Sequence, residues 1–131
     1  MMGLRVVPAA ILLAGFCNST EAAAADGQRL FLENCAACHR PNGVGVTGAF
    51  PALVNSKLVQ GDPKVPITRV LNGRGGMPAF QGELNDAEIA SVLTYVRSAW
   101  GNKAKPVMSQ QVAALRTGGK RENAKASLQA H

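Results

Sequence analysis

Apolar residues recur at helical spacing in three stretches of the chain, and no alternating strand pattern of useful length is present. The clearest stretch runs from Asn85 to Trp100. Ile89, Val92, Leu93, Val96 and Trp100 fall on one stripe, and Asn85 with Glu88 makes a capping-box-like start in which Asn stands for Ser or Thr. A second runs from Asp26 to Cys38, with Leu30, Phe31, Leu32 and Cys35 close to a helical rhythm and Asp26 placed to cap it. A third, Val65 to Leu71, carries Pro66 in its first turn and has Gly73 just past its end. Between them lie two loops rich in glycine and proline, Arg40 to Leu53 and Gly73 to Gly82, and there are no internal repeats. The pattern predicts an all-α domain with long irregular connections, the kind that wrap something functional.

The two ends read differently from this middle. Arg5 followed by the uncharged run Val6 to Cys17 has the form of an export signal, too short for a membrane span of about 20 residues. Ala22 to Ala25 supply the small residues a signal peptidase needs, so residues 1–25 are expected to be a leader cut near Ala24 or Ala25. The alternative is a short anchor that stays in place. Lipidation at Cys17 is disfavoured because Phe16 stands where a small residue is required. At the other end, Pro106 separates residues 103–131 from the domain. Ser109 is placed to cap a short helix through Arg116, with Val112 and Leu115 on one side, and Gly118 to His131 is polar and expected to be mobile. The expected layout is a leader over 1–25, a domain over 26–102 and a basic tail over 103–131.

Composition narrows the possibilities. A cut at Ala25 leaves 106 residues, one small domain and too little for a Rossmann or barrel enzyme. A domain this small often needs a disulfide, a metal or a cofactor to hold it. The net charge of +6 is uneven: Asp26 to Asn102 carries seven Lys/Arg against six Asp/Glu, whereas Lys103 to His131 carries six against one. The basicity belongs to the tail, which argues against a nucleic-acid binder. That tail reads either as a docking element for an acidic partner or an anionic membrane surface, or as a solvated end.

Cysteine placement carries the chemistry. Of three cysteines, Cys17 lies in the leader, and Cys35 and Cys38 stand three apart in Cys35-Ala36-Ala37-Cys38-His39. This C-x-x-C-H sequence is the attachment signature of c-type haem. Two cysteines on one helical turn point the same way, so each sulfur can form a thioether with one of the two vinyl groups of the macrocycle. His39 follows at once to place a nitrogen on the iron. A zinc site would need four ligands, and the only other histidine is His131 at the end of the chain. A thioredoxin-type C-x-x-C would need a βαβ context that the pattern lacks.

A second axial ligand must come from elsewhere. Met1 and Met2 lie in the leader and Met108 in the tail, which leaves Met77, in Gly75-Gly76-Met77-Pro78-Ala79-Phe80. Gly75 and Gly76 would let backbone pass close to a flat ring, and Pro78 stiffens the turn after the sulfur. The competing reading is a gap-filling core methionine, which would sit on a periodic apolar face; Met77 does not.

Cys35 to His39, Met77 in its Gly/Pro loop and the helix ending at Trp100 resemble a class I c-type cytochrome over about Asp26 to Asn102. The resemblance implies a small cytochrome c fold, three to four helices wrapped around one haem held covalently by Cys35 and Cys38, with His39 and Met77 as iron ligands. It also implies that Gly27 and Phe31 sit where the first helix crosses the last, near Val92 and Tyr95. Pro51, twelve residues after His39, matches the family proline whose carbonyl accepts the histidine N–H. The family's tryptophan between Pro51 and Met77 is not matched; Arg69, Arg74 and Trp100 are the candidates to meet a haem propionate in its place. Tyr95 to Asn102 followed by Gln111 to Arg116 is similar to cytochrome subunits of periplasmic dehydrogenases.

An iron with His on one side and Met on the other has no open position, which leaves outer-sphere electron transfer. An apolar pocket, with Leu53, Val70, Leu71, Phe80 and Leu93 as candidate walls, would raise the potential. The expectation is a periplasmic single-haem electron carrier, not an enzyme. Its donor would be a dehydrogenase and its acceptor an oxidase or another cytochrome, and it would exist as a monomer or as a subunit of a hetero-complex. Nucleic acid is no partner, and any membrane contact would be peripheral. The alternatives are a haem-based gas sensor with a displaceable Met77 and a non-haem metal-binding module.

Overall fold

The computed structural model of the chain describes residues 19–118, with side chains from Asp26 onward. It contains α1 (Ser19–Asn34), α2 (Ala36–His39), α3 (Lys57–Gln60), α4 (Lys64–Asn72) and α5 (Asp86–Ser98), and a further helical stretch, α6, over residues 109–118. Among the described residues there is no strand, only the isolated bridges Val46–Phe50 and Arg74–Met77. The all-α expectation holds. The single-turn helices α2 and α3 add to the three long helices of the pattern.

α5 begins as its sequence dictates. Asn85 Oδ1 accepts from the Glu88 N–H at 3.0 Å, and Glu88 Oε2 accepts from the Asn85 N–H at 2.9 Å, a complete capping box. Its stripe is buried through Ile89, Val92, Leu93 and Val96. The helix stops at Ser98, short of the expected end, because the chain turns at Trp100 (φ 54°) and Gly101 (φ 87°). α4 has Pro66 in its first turn and ends at Gly73, whose φ of 68° suits glycine.

α1 packs across α5. A Cβ on Gly27 would lie 2.3 Å from the Ser91 carbonyl oxygen and 2.9 Å from Tyr95 Cβ, so glycine alone permits this backbone approach. One turn on, Phe31 meets Tyr95 and Trp100 with ring centroids 5.7 and 5.1 Å away, tilted or edge-on. The expected crossing is therefore present, with Ser91 and Tyr95 as the residues against Gly27. Two expectations for α1 fail. In the uncleaved chain Asp26 is not its cap, because the alanine-rich residues before it are helical from Ser19, and alanine is the strongest helix former. Leu32 is on the exposed face, 49% accessible, while Leu30 and Phe31 are buried.

The chain after α5 does not leave the domain. Val107 and Val112 are buried in the same core as α1, α4 and α5, and Leu115 packs against it. Thr94 Oγ1 accepts from the Val107 N–H at 3.0 Å, and Lys103 N–H donates to Gln60 Oε1 at 3.0 Å. A boundary at Asn102 thus cuts through packed structure. Charge and Pro106 suggested a tail, but the apolar side of α6 needs cover and finds it on the core. Ser109 does not cap α6: it lies inside the helix, and Gln111 Oε1 accepts from the Met108 N–H at 2.8 Å. Residues 1–18 of the expected leader (1–25) and residues 119–131 of the expected polar end (118–131) lie outside the described residues.

Candidate functional site

Cys35, Cys38 and His39 occupy one helical turn. The Cys38 and His39 amides donate to the Cys35 carbonyl at 3.2 and 3.0 Å, so the three side chains are set by one local hydrogen-bonded unit. The two sulfurs are half-buried and not joined to each other in a disulfide. Burial pushes the Cys35 thiol up to about 11, and the Cys38 sulfur beside it adds to the rise.

His39 is oriented from the other side. Its Nδ1 donates to the Pro51 carbonyl at 2.9 Å across twelve residues. A carbonyl can only accept, so Nδ1 carries a proton, and it is the neutral ring's Nε2 lone pair that would serve a metal. The Pro51 loop is itself held: the Gly45 N–H donates to the His39 carbonyl at 2.9 Å and the Leu53 N–H to the Gly43 carbonyl at 2.8 Å. Gly43 (φ 70°) lies under the Trp100 ring, and a Cβ there would come within 2.5 Å of it. Trp100 is therefore part of the packing between α1, α5 and this loop.

Met77 ends a tight turn. Arg74 and Met77 exchange backbone hydrogen bonds at 3.1 and 3.0 Å, around Gly75 with φ 57°. The close backbone approach is at Gly73, where a Cβ would lie 2.4 Å from the Met77 carbonyl oxygen. A Cβ built on Gly75 or Gly76 would meet no other part of the chain within 4 Å, and Gly75 serves the turn by its positive φ. Phe80 and Gln81 amides then donate to the Val70 and Leu71 carbonyls at 2.9 and 3.3 Å, tying the loop to the end of α4. Met77 and Cys35 are both half-buried and pack against the same apolar core, together with Leu53 and Phe80. Val70, Leu71 and Leu93 are buried members of that core.

The donor set of two thiols on one turn, an oriented imidazole and a thioether fits a covalently attached haem. A non-haem site is less well served: among the described residues no group of three or more His, Cys, Asp and Glu side chains is arranged to hold a metal ion.

Three residues that sequence reasoning passed over hold these loops in place. Asn102, 3% exposed, accepts from the Asn55 N–H at 3.0 Å and donates to the Leu53 and Val96 carbonyls at 3.1 and 2.9 Å. Arg97, equally buried, donates to the carbonyls of Val59, Gly61 and Lys105. Burial pulls its guanidinium below the ordinary arginine value, and Asp62 acts the other way. Arg116 donates to Asp86 Oδ1 at 2.7 Å and to the carbonyls of Gln81 and Leu84. One signal was available: Arg97 follows Leu93 by four residues, so it is a charge beside the apolar stripe.

Comparison with known proteins agrees with this geometry. Residues 22–96 match the family model described as cytochrome C oxidase, cbb3-type, subunit III. Cytochrome c-552 of Thermus thermophilus is 32% identical over 132 residues, covering 86% of each chain. Cytochrome c6 of Leptolyngbya boryana is 43% identical over 75 residues, which is 56% of this chain and 88% of its own. The cytochrome c subunit of alcohol dehydrogenase (quinone) of Gluconobacter oxydans is 33% identical over 106 residues, 71% of this chain. The match spans only 22% of that subunit's length. The sequence holds one C-x-x-C-H motif, and the chain belongs to the cytochrome c family matched by that model: it is a class I c-type cytochrome whose haem c is attached through Cys35 and Cys38.

Proposed function

We propose that this cytochrome is exported to the periplasm after removal of residues 1–25 and carries one electron at an iron held by His39 and Met77, between a dehydrogenase and a downstream acceptor such as a terminal oxidase. The observation that carries the reading is the His39–Pro51 hydrogen bond at 2.9 Å, which fixes the imidazole with Nε2 free for iron. The haem supplies a one-electron couple when bound. His39 contributes a nitrogen donor made more basic by its bond to Pro51. Met77 contributes a soft thioether, which favours ferrous iron and raises the potential relative to a second histidine. Held by both His39 and Met77, the iron would offer no open position to a substrate, in keeping with a carrier rather than an enzyme.

The donor assignment is supported by relatives named as dehydrogenase subunits, from Gluconobacter oxydans and, at 35% identity, the gluconate 2-dehydrogenase cytochrome c subunit of Pantoea cypripedii. An oxidase acceptor is supported by the 41% identity to the cbb3-type oxidase subunit CcoP of Azospirillum brasilense. Among the described residues no helix is long and apolar enough to cross a membrane.

Carbon monoxide tests the ligand set. The reduced wild-type protein is expected to keep sharp α and β bands unchanged by the gas, and Met77→Ala to retain its haem but bind carbon monoxide. A wild-type spectrum that shifts readily would favour the gas sensor and overturn the carrier.

A further inference from the structure

The mechanism leaves unused a cluster at the far end of the Met77 loop. After Met77 the chain is tied to α4 through Phe80 and Gln81, then runs as a turn, with Glu83 and Leu84 amides donating to the Phe80 carbonyl, into the cap of α5. The outer end of this turn is gripped by a residue 30 or more positions later. Arg116 Nη1 donates to the Gln81 carbonyl, Nη2 to the Leu84 carbonyl at 2.9 Å, and Nε to Asp86 Oδ1 at 2.7 Å. The guanidinium is partly shielded, its side chain 18% exposed, and Asp86 in the first turn of α5 sets its direction. α6 is anchored independently of this grip by Val112, fully buried, and Leu115.

We propose that Arg116 is a positioning residue for Met77: the segment after α5 braces the ligand loop and thereby sets how readily the thioether leaves the iron. The inference rests on the His39/Met77 ligation proposed above. Its physical basis is the planar fork of arginine, whose fixed donors reach two carbonyls and a carboxylate at once. An ammonium is a single compact donor and does not reproduce that arrangement. Removing the fork leaves the Gln81 and Leu84 carbonyls without this partner, so the loop opens more often while α6 stays docked.

An added axial ligand reads this opening, because it enters only when Met77 has left. The test is an imidazole titration of the ferric, full-length holoprotein, followed by the loss of the near-infrared sulfur-to-iron band. Charged hydrogen bonds of this strength predict that Arg116→Gln binds imidazole about tenfold more tightly than wild type. Arg116→Lys falls between the two, and decides the matter if the glutamine variant does not fold. Leu30→Val, which trims the core from α1 and removes no hydrogen bond of the loop, leaves the affinity within about twofold. The brace is overturned if Arg116→Gln titrates like wild type, or if Leu30→Val shifts the affinity as far. Absence of the sulfur-to-iron band in the wild-type protein would remove the ligation reading and the brace together. A normal band with unchanged imidazole binding removes the brace alone.

Discussion

The side chain of Asn102 spends all three of its hydrogen bonds on backbone: the Asn55 amide and the Leu53 and Val96 carbonyls. It therefore joins the end of α5 to the loop that carries Pro51, and through Pro51 to the His39 ring. Asn55 is held at φ 53°, a conformation that asparagine tolerates and that this contact secures. Replacing Asn102 with alanine leaves these partly or fully buried backbone groups without their partner and is expected to lower stability by about 1–3 kcal/mol. Denaturant unfolding of the oxidised holoprotein checks it; a midpoint equal to wild type would contradict the pin. Cys35, Cys38 and His39 were legible in the sequence because their chemistry is written as one short spacing, and Pro51 because of the family resemblance. Asn102 and Arg116 were not, because, Val96 apart, their partners are 30 to 49 residues away and only packing brings them together. A lone Asn after a helix and an Arg in a basic tail carry no local mark of burial.

At the level of elements, the crossing of α1 and α5 is the joint on which the haem motif depends, since α2 follows α1 directly. Gly27 lets the two backbones touch, and Phe31, Tyr95 and Trp100 fill the next layer. A methyl group at Gly27 would sit 2.3 Å from the Ser91 oxygen, so the helices must separate. Gly27→Ala is expected to cost about 1–3 kcal/mol, read as an earlier thermal transition of the holoprotein, even though alanine is the better helix former. An unchanged or raised transition would show that the helices do not meet through backbone. α4 and α5 were readable because capping box, first-turn proline and terminal glycine all agree with the apolar period. The single-turn helix α3 was not, since four residues are too few to show a period, and α2 was read as the end of one helix over Asp26 to Cys38, which a turn at Cys35 splits in two. The start of α1 was misplaced because a run of alanine continues a helix as readily as it offers a cleavage site.

For the molecule as a whole, the separation between neutral domain and basic end is less simple than charge alone implied. Lys103, Lys105 and Arg116 belong to a segment packed on the domain, and the remaining positive charge lies beyond residue 118. Deleting residues 119–131 is expected to leave haem attachment and the absorption spectrum intact while weakening any salt-sensitive partner binding. Comparison of spectra and of binding at low and high salt checks this; loss of haem incorporation would contradict it. Deletion from Lys103 onward, by contrast, would remove Val107, Val112 and the Arg116 brace from the core. The account as a whole turns on one iron held between His39 and Met77. The most direct measurement is the proton NMR spectrum of the reduced holoprotein, where a methyl group on the iron axis is shifted far upfield by the porphyrin ring. A single such methyl in the wild-type protein, absent from Met77→Ala, is the predicted result; its absence from the wild type, or its survival in the variant, would contradict the account.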